Sequence, residues 1–232
     1  MGFPFIDYYY IILIVPTLLL SFVAQIMVKS TFSKYSKINC KKQITGQSSA
    51  ALLLKANSIL DVKIESVGGS LTDHYDPSSK TVRLSQPVFN ANSISAVGVA
   101  AHEAGHAIQH ATKYGPLVLR STLVPVANIG SRFGPIIAMA GLLFQENFPM
   151  LFPIGIILFS GAVLFYVITL PVEFDASARA MALLKQNNVL SEKELAGVRK
   201  VLTAAAMTYV ASALTAMMSL IRLILISRSR RR

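Results

Sequence analysis

The sequence predicts a predominantly α membrane protein, with about four transmembrane helices and a small α+β region beside them. Three observations predict this class. Hydrophobic residues make up 53% of the 232 and charged residues only 14%, whereas a soluble domain carries roughly a quarter charged residues. The apolar residues gather in long runs, each of a length that suits about 30 Å of hydrocarbon. Between the first and second runs lies a stretch of ordinary soluble patterning, in which helical and alternating periods are broken by turn residues.

The first span covers residues 8–28. It is uncharged, contains Pro16, and opens on Tyr8, Tyr9 and Tyr10, which suit an interfacial belt. Asp7 precedes it and no Lys or Arg does, so the span reads as a retained anchor rather than a cleaved signal. Residues 29–118 form a membrane-proximal region. Within it a helix is expected at 47–60, where Ala50, Leu53, Leu54 and Ile59 recur at helical spacing. A strand follows at 62–67, then a turn at Gly68-Gly69, another turn at 76–79 and a strand at 81–84. A long helix at 93–114 begins near Ser93 or Ser95.

The second span, 119–144, carries Arg132 and should bend at Pro125 and Pro135. The third, 150–170, has no charge, and a polar helical region follows at 171–200. The fourth, 201–226, holds Arg222 near its end, within snorkelling reach of water. Residues 227–232 read as a basic, disordered tail. No internal repeat is visible.

The formal net charge is +11. The cations flank apolar spans instead of forming a basic domain with stacking aromatics, which argues for membrane orientation and against nucleic-acid binding. Half of the 22 Lys and Arg residues fall in 29–120, and Lys29, Lys34, Lys37, Lys41 and Lys42 crowd just after the first span. The positive-inside rule puts this region on the cytoplasmic side of the cell membrane, with the N-terminus outside. The tail Arg228 to Arg232 then conflicts with the same rule. Cys40 is the single cysteine, so neither an intramolecular disulfide nor a CxxC metal site can form.

Residues 101–110 read Ala-His-Glu-Ala-Gly-His-Ala-Ile-Gln-His. On a helix His102 and His106 lie about 40° apart in rotation, so both imidazoles can reach one ion. Zinc takes two His nitrogens and at least one further ligand. Glu103 is turned about 100° from His102, where it can act as the general base of an H-E-x-x-H site. His110 continues the spacing but stands about 12 Å from His102 along the axis, too far to share the ion. The third ligand is sought among scarce acids. Glu173 follows the third span and would complete a two-His, one-carboxylate set. Asp175 is its rival, turned about 200° away on a helix. Ser177 and Arg179 follow on the same segment. His74 reads as a turn histidine bonded to Asp73 or Asp76, with an oxyanion role as the alternative, which Arg179 shares.

With these residues in view the chain resembles the YugP-type membrane zinc metallopeptidases of bacteria, over nearly its whole length. The stretches that carry the resemblance are 70–77, 99–109, 123–128 and 170–180. The segment Glu173-Phe174-x-Ala176 is more distantly similar to the gluzincin membrane peptidases, the group of HtpX and the CAAX prenyl protease. The resemblance implies a zincin-like α+β region, Zn2+ as cofactor and Glu173 as a ligand. In that group an Asp four residues after the Glu supports a ligand histidine; here that position is Ser177.

The favoured reading is a zinc-dependent endopeptidase cutting membrane or membrane-proximal proteins, with a protein or peptide substrate and the lipid bilayer as partners. The alternative is a non-catalytic assembly or scaffold protein with a structural zinc, against which an intact Glu103 argues. A site-2-type protease would set the His pair inside a spanning helix, but 93–114 is polar at both ends and preceded by strands. An extended substrate could pair with the strand at 81–84 if that strand is an edge. The sequence leaves a regulatory partner, a homo-oligomer and the substrate itself open.

Overall fold

The structure, a computed structural model, describes residues 7–230. A π-helical stretch, Tyr10–Ile14, runs into α1 (Val15–Ser36). There follow α2 (Gly46–Ala56), β1 (Lys63–Val67), β2 (His74–Asp76), β3 (Thr81–Ser85), α3 (Gln86–Phe89) and α4 (Ile94–Ala111). Long helices α5 (Gly115–Leu143), α6 (Leu151–Gln186) and α7 (Glu192–Arg230) complete the chain. Four helices are long and apolar enough to cross a membrane: Tyr10–Ser36, Gly115–Leu143, Leu151–Gln186 and Glu192–Ser229.

The third span and the polar region after it are carried on one helix. α6 runs unbroken through Pro171, and α7 joins the end of the polar region to the fourth span. A proline forfeits one backbone hydrogen bond, and the alanine-rich stretch after Pro171 keeps the helix going. The tail is helical as far as Arg230 rather than disordered; residues 231–232 of the predicted tail lie outside the described residues. α5 likewise continues through Pro125 and Pro135.

The chain divides into two compact units. One comprises the chain up to Ala24, Val118–Pro171 and the chain from Thr208 onward. Its core gathers Ala138, Phe159, Ala162, Val163, Ala216 and Leu223. Glycines let α5 and α6 approach closely: a Cβ on Gly134 would meet Phe159, and one on Gly155 would meet the Ala138 backbone. Small residues at such contacts substitute for the hydrophobic driving force that lipid does not provide. Arg222 donates to the Asp7 carboxylate at 2.6 Å and lies 5.1 Å from the Tyr10 ring.

The other unit comprises Gln25–Leu117 and Val172–Met207. Leu53, Val82, Leu84, Val97, Leu184 and Val198 are fully buried in its core. The sheet has the order β1-β3-β2, with β1 parallel and β2 antiparallel to β3. β3 is therefore central, and the edges are β1 and β2, which corrects the idea that 81–84 could receive a peptide. β2 itself occupies part of the expected turn region. Its three residues, His74–Asp76, are too few to show a period of two, so only the turn that follows is visible in sequence. In that turn Asp76 Oδ1 accepts from the Ser78 backbone N–H at 2.9 Å, an Asx turn. α4 begins where Ser93 Oγ accepts from the Ala96 N–H at 3.2 Å, which satisfies one of the free donors at the helix start.

Candidate metal centre

The site is built where α4 meets the stretch of α6 that begins at Val172. Gly105 of α4 makes the approach close enough, since a Cβ there would lie 2.7 Å from the carbonyl oxygen of Ala176. Backbone-to-backbone contact at this point brings His102 and His106 of one helix opposite Glu173 of the other. The His102 Nε2 and His106 Nε2 atoms stand 3.3 and 3.5 Å from the same oxygen, Glu173 Oε2. One ligand atom from each of the three residues can be chosen so that all lie within 4.8 Å of one another. Among the described residues this is the cluster of metal-ligating type.

That spacing is a test of fit. Ligand atoms at tetrahedral corners about 2.05 Å from a zinc ion stand about 3.3 Å apart. The donor set of two imidazoles and one carboxylate is the zinc type that leaves a fourth position open. Glu173 is 3% exposed and His106 9%, so the set is also shielded from water. The residues fit zinc.

The far nitrogen of each histidine is held as well. Ser177 Oγ lies 3.1 Å from His102 Nδ1. The serine thus takes the supporting place that the resemblance gave to an Asp. His106 Nδ1 lies 3.0 Å from Gln109 Oε1. An amide oxygen only accepts, so Nδ1 carries the proton and Nε2 is left bare for a metal. Gln109 is fully buried and fixed in turn, its Nε2 donating to the Val172 carbonyl and to Asp175 Oδ2, each at 2.8 Å. Arg179 Nε donates to that same Asp175 oxygen at 2.5 Å, and its guanidinium lies 5.5 Å from the Tyr114 ring.

Asp175 therefore points away from the ligand cluster, as its rotation on the helix requires, but into the network behind His106. Sequence reasoning missed Gln109. The available signal was its position three residues after His106, on the same helical face. The guanidinium of Arg179 is engaged by Asp175 and Tyr114. His74 is exposed, and its Nδ1 donates to the Thr72 carbonyl at 2.8 Å. The expected bonds to Asp73 or Asp76 are replaced. Asp73 accepts from the Ser85 backbone and hydroxyl, and Asp76 from Ser78, Ser79 and Arg83. His110 bonds the Tyr75 hydroxyl at 2.8 Å, and burial pushes the Tyr75 phenol up to about 12.

Glu103 sits on the turn of α4 between the two histidines and is 7% exposed. Burial pushes its carboxyl up, and the neighbouring His102 and His106 oppose that shift. Glu103 is thus a buried carboxylate beside two ligand-type histidines and outside the ligand cluster.

Comparison with known proteins agrees with this chemistry. Residues 10–228 match the model of a family described as "Putative neutral zinc metallopeptidase". The chain is 48% identical over 217 residues to a Bacillus subtilis (strain 168) protein named "Putative membrane protease YugP", covering 94% of this chain and 96% of that one. No solved structure matches. With nearly its whole length matched, this membrane protein belongs to the neutral zinc metallopeptidase family, and its cofactor is zinc.

Proposed function

We propose that the protein is a membrane-embedded zinc-dependent endopeptidase that hydrolyses peptide bonds of membrane or membrane-proximal proteins. The observation that carries this reading is the convergence of His102, His106 and Glu173 with a buried Glu103 beside them. His102 and His106 would hold zinc through Nε2 and Glu173 through its carboxylate. Bound there, zinc supplies Lewis-acid polarisation of the scissile carbonyl and of the attacking water. Glu103 takes the proton of that water and delivers it to the leaving amine nitrogen. Gln109 holds His106 in the tautomer that leaves Nε2 free, and Ser177 fixes the orientation of the His102 ring through Nδ1. The region Lys29 to Arg120 lies on the cytoplasmic side, a reading supported by its share of the Lys and Arg residues.

A structural zinc in a scaffold needs no proton acceptor, so Glu103 separates the two readings. Glu103→Gln keeps the ligand set and removes the base. The expected outcome is unchanged zinc content with cleavage lowered by about 10²–10⁴-fold. The measurement compares membrane proteomes of cells carrying wild type and Glu103→Gln, alongside metal analysis of both purified proteins. Identical proteomes would remove the support for a protease.

A further inference from the structure

The metal chemistry leaves unused a groove between α6 and α7 in the unit that holds the site. One part, about 190 Å³ in volume, is walled by Phe174, Ser177, Met181, Leu202, Thr203 and Met207. Through Met181 and Arg199 it continues into a second part of about 450 Å³, walled by Lys185, Glu192, Arg199 and Lys200. The two ends differ in chemistry. At the second end Lys185 pairs with Glu192 at 2.7 Å, while Arg199 and Lys200 are exposed and leave the end net cationic.

The order of these linings along the helices is informative. Both α6 and α7 are of membrane-spanning length and composition. On α6, Phe174 lies nearer the apolar run and Lys185 farther from it. On α7, Lys200 lies farther and Leu202 to Met207 nearer. Both helices thus grade from apolar to cationic in the same direction. A phospholipid has the same gradient, from acyl chain to phosphate, and basic pockets between membrane helices bind anionic headgroups. Free phosphate would satisfy the cations but not the apolar wall. A zwitterionic lipid would bring its own cation against Arg199 and Lys200.

We propose that this groove binds one anionic phospholipid, its phosphate on Arg199 and Lys200 and an acyl chain along Phe174, Leu202 and Met207. The site also touches the metal centre. Ser177 lines the groove and bonds His102 Nδ1 at 3.1 Å, and Phe174 is the neighbour of Glu173. An occupied groove braces the turn of α6 that presents these residues.

The test is native mass spectrometry of the detergent-solubilised full chain, titrated with phosphatidylglycerol, phosphatidylcholine or inorganic phosphate. Wild type should retain phosphatidylglycerol in preference to phosphatidylcholine. Arg199→Gln with Lys200→Gln should weaken phosphatidylglycerol about thirtyfold, about fivefold for each charge removed near a headgroup. Lys29→Gln with Lys37→Gln, two exposed cations outside the groove, should leave it within about twofold. Thr203→Phe, at an exposed wall position, should weaken the lipid with all charges intact. Equal binding of the two lipids to wild type overturns the proposal, and this arm needs no variant to fold. So does an equal loss in the Lys29/Lys37 pair, which would mean general surface charge. Full competition by phosphate with Thr203→Phe unaffected would also overturn it, leaving an anion site alone. None of these readouts depends on peptidase activity, so a failure here is distinct from a failure of the proposed reaction.

Discussion

Replacing Gln109 by leucine tests the idea that the support behind His106 sets metal affinity. The side chain is fully buried and makes three hydrogen bonds, of 3.0 Å to His106 and 2.8 Å each to Val172 and Asp175. Leucine keeps the volume and removes all three. Asp175 retains Arg179 at 2.5 Å, and the Val172 carbonyl lies in the helical ladder of α6, so the main loss falls on His106. Its Nδ1–H is left in a buried site without that acceptor, which costs about 1–3 kcal/mol. The ring is then free to change tautomer, and loss of such a partner lowers metal affinity about 10–100-fold. The assay is zinc retention against chelators of graded strength, with thermal unfolding of the metal-free protein measured in parallel. Gln109→Glu separates the two effects. Its carboxylate still accepts from His106 but cannot donate to Val172 and faces Asp175. Zinc affinity should therefore stay near wild type while the metal-free protein loses stability. Zinc binding by Gln109→Leu within about twofold of wild type would refute the reasoning, since removing such a partner should cost at least tenfold. So would an equal loss of zinc in both variants.

Further outcomes follow from the same geometry. Glu173→Ala should lose zinc outright in metal analysis, because two histidines leave the site open, while Asp175→Ala should lower affinity by no more than Gln109→Leu does. Gly105→Ala places a methyl 2.7 Å from the Ala176 carbonyl oxygen; parting the helices should cost about 1–3 kcal/mol in unfolding measurements and weaken zinc retention. Ser177→Ala should reduce zinc affinity by about tenfold at the low end of what such a partner contributes, with little change in metal-free stability. For topology, Cys40 is a poor reporter: it is buried, its thiol faces the Ile44 carbonyl and burial pushes its pKa up. Ser70→Cys, at an exposed position, should resist a membrane-impermeant thiol reagent in intact cells and react after permeabilisation, and labelling of intact cells would reverse the orientation.

The helices were legible because the signals that make them are local. Apolar runs longer than a bilayer is thick, and a serine ahead of Ile94, need no tertiary knowledge. The pairing of His102 with His106 is legible for the same reason, being fixed by one helical turn. Glu173 was reachable because acids are scarce near the third span and because the stretch resembles a known family. Gln109 was not reachable in this way. Its meaning depends on Val172 and Asp175, which lie more than sixty residues away in sequence, and only the close approach at Gly105 brings them to it. β2 was missed because three residues carry no period, and strand order in a sheet is a matter of pairing that no single strand encodes. That the third span and the polar region share one helix through Pro171 was not visible in composition, which registers the change from apolar to polar residues but not the continuity of the backbone.

The basic tail raised a conflict that charge counting alone does not resolve. If the cations after the first span hold that region in the cytoplasm, a full crossing by α7 carries Arg228 to Arg230 outward, against the rule. The alternative was a fourth apolar stretch that fails to cross. The Asp7–Arg222 pair bears on the choice. Within their unit these residues meet at 2.6 Å, so the start of the first long helix lies beside the far end of α7. Two helices whose opposite chain ends meet in this way, and whose Ser21 and Thr215 hydroxyls lie 3.4 Å apart, run antiparallel within that unit. An ion pair that is half shielded, with the arginine side chain 12% exposed and the aspartate 30%, resists disruption more than an exposed pair, because one partner left alone would face a poorly solvated environment. That local bond keeps the two ends together, and the proposed orientation rests on the cluster after the first span. On the proposed orientation Arg228, on the last turns of that helix, has the weaker claim.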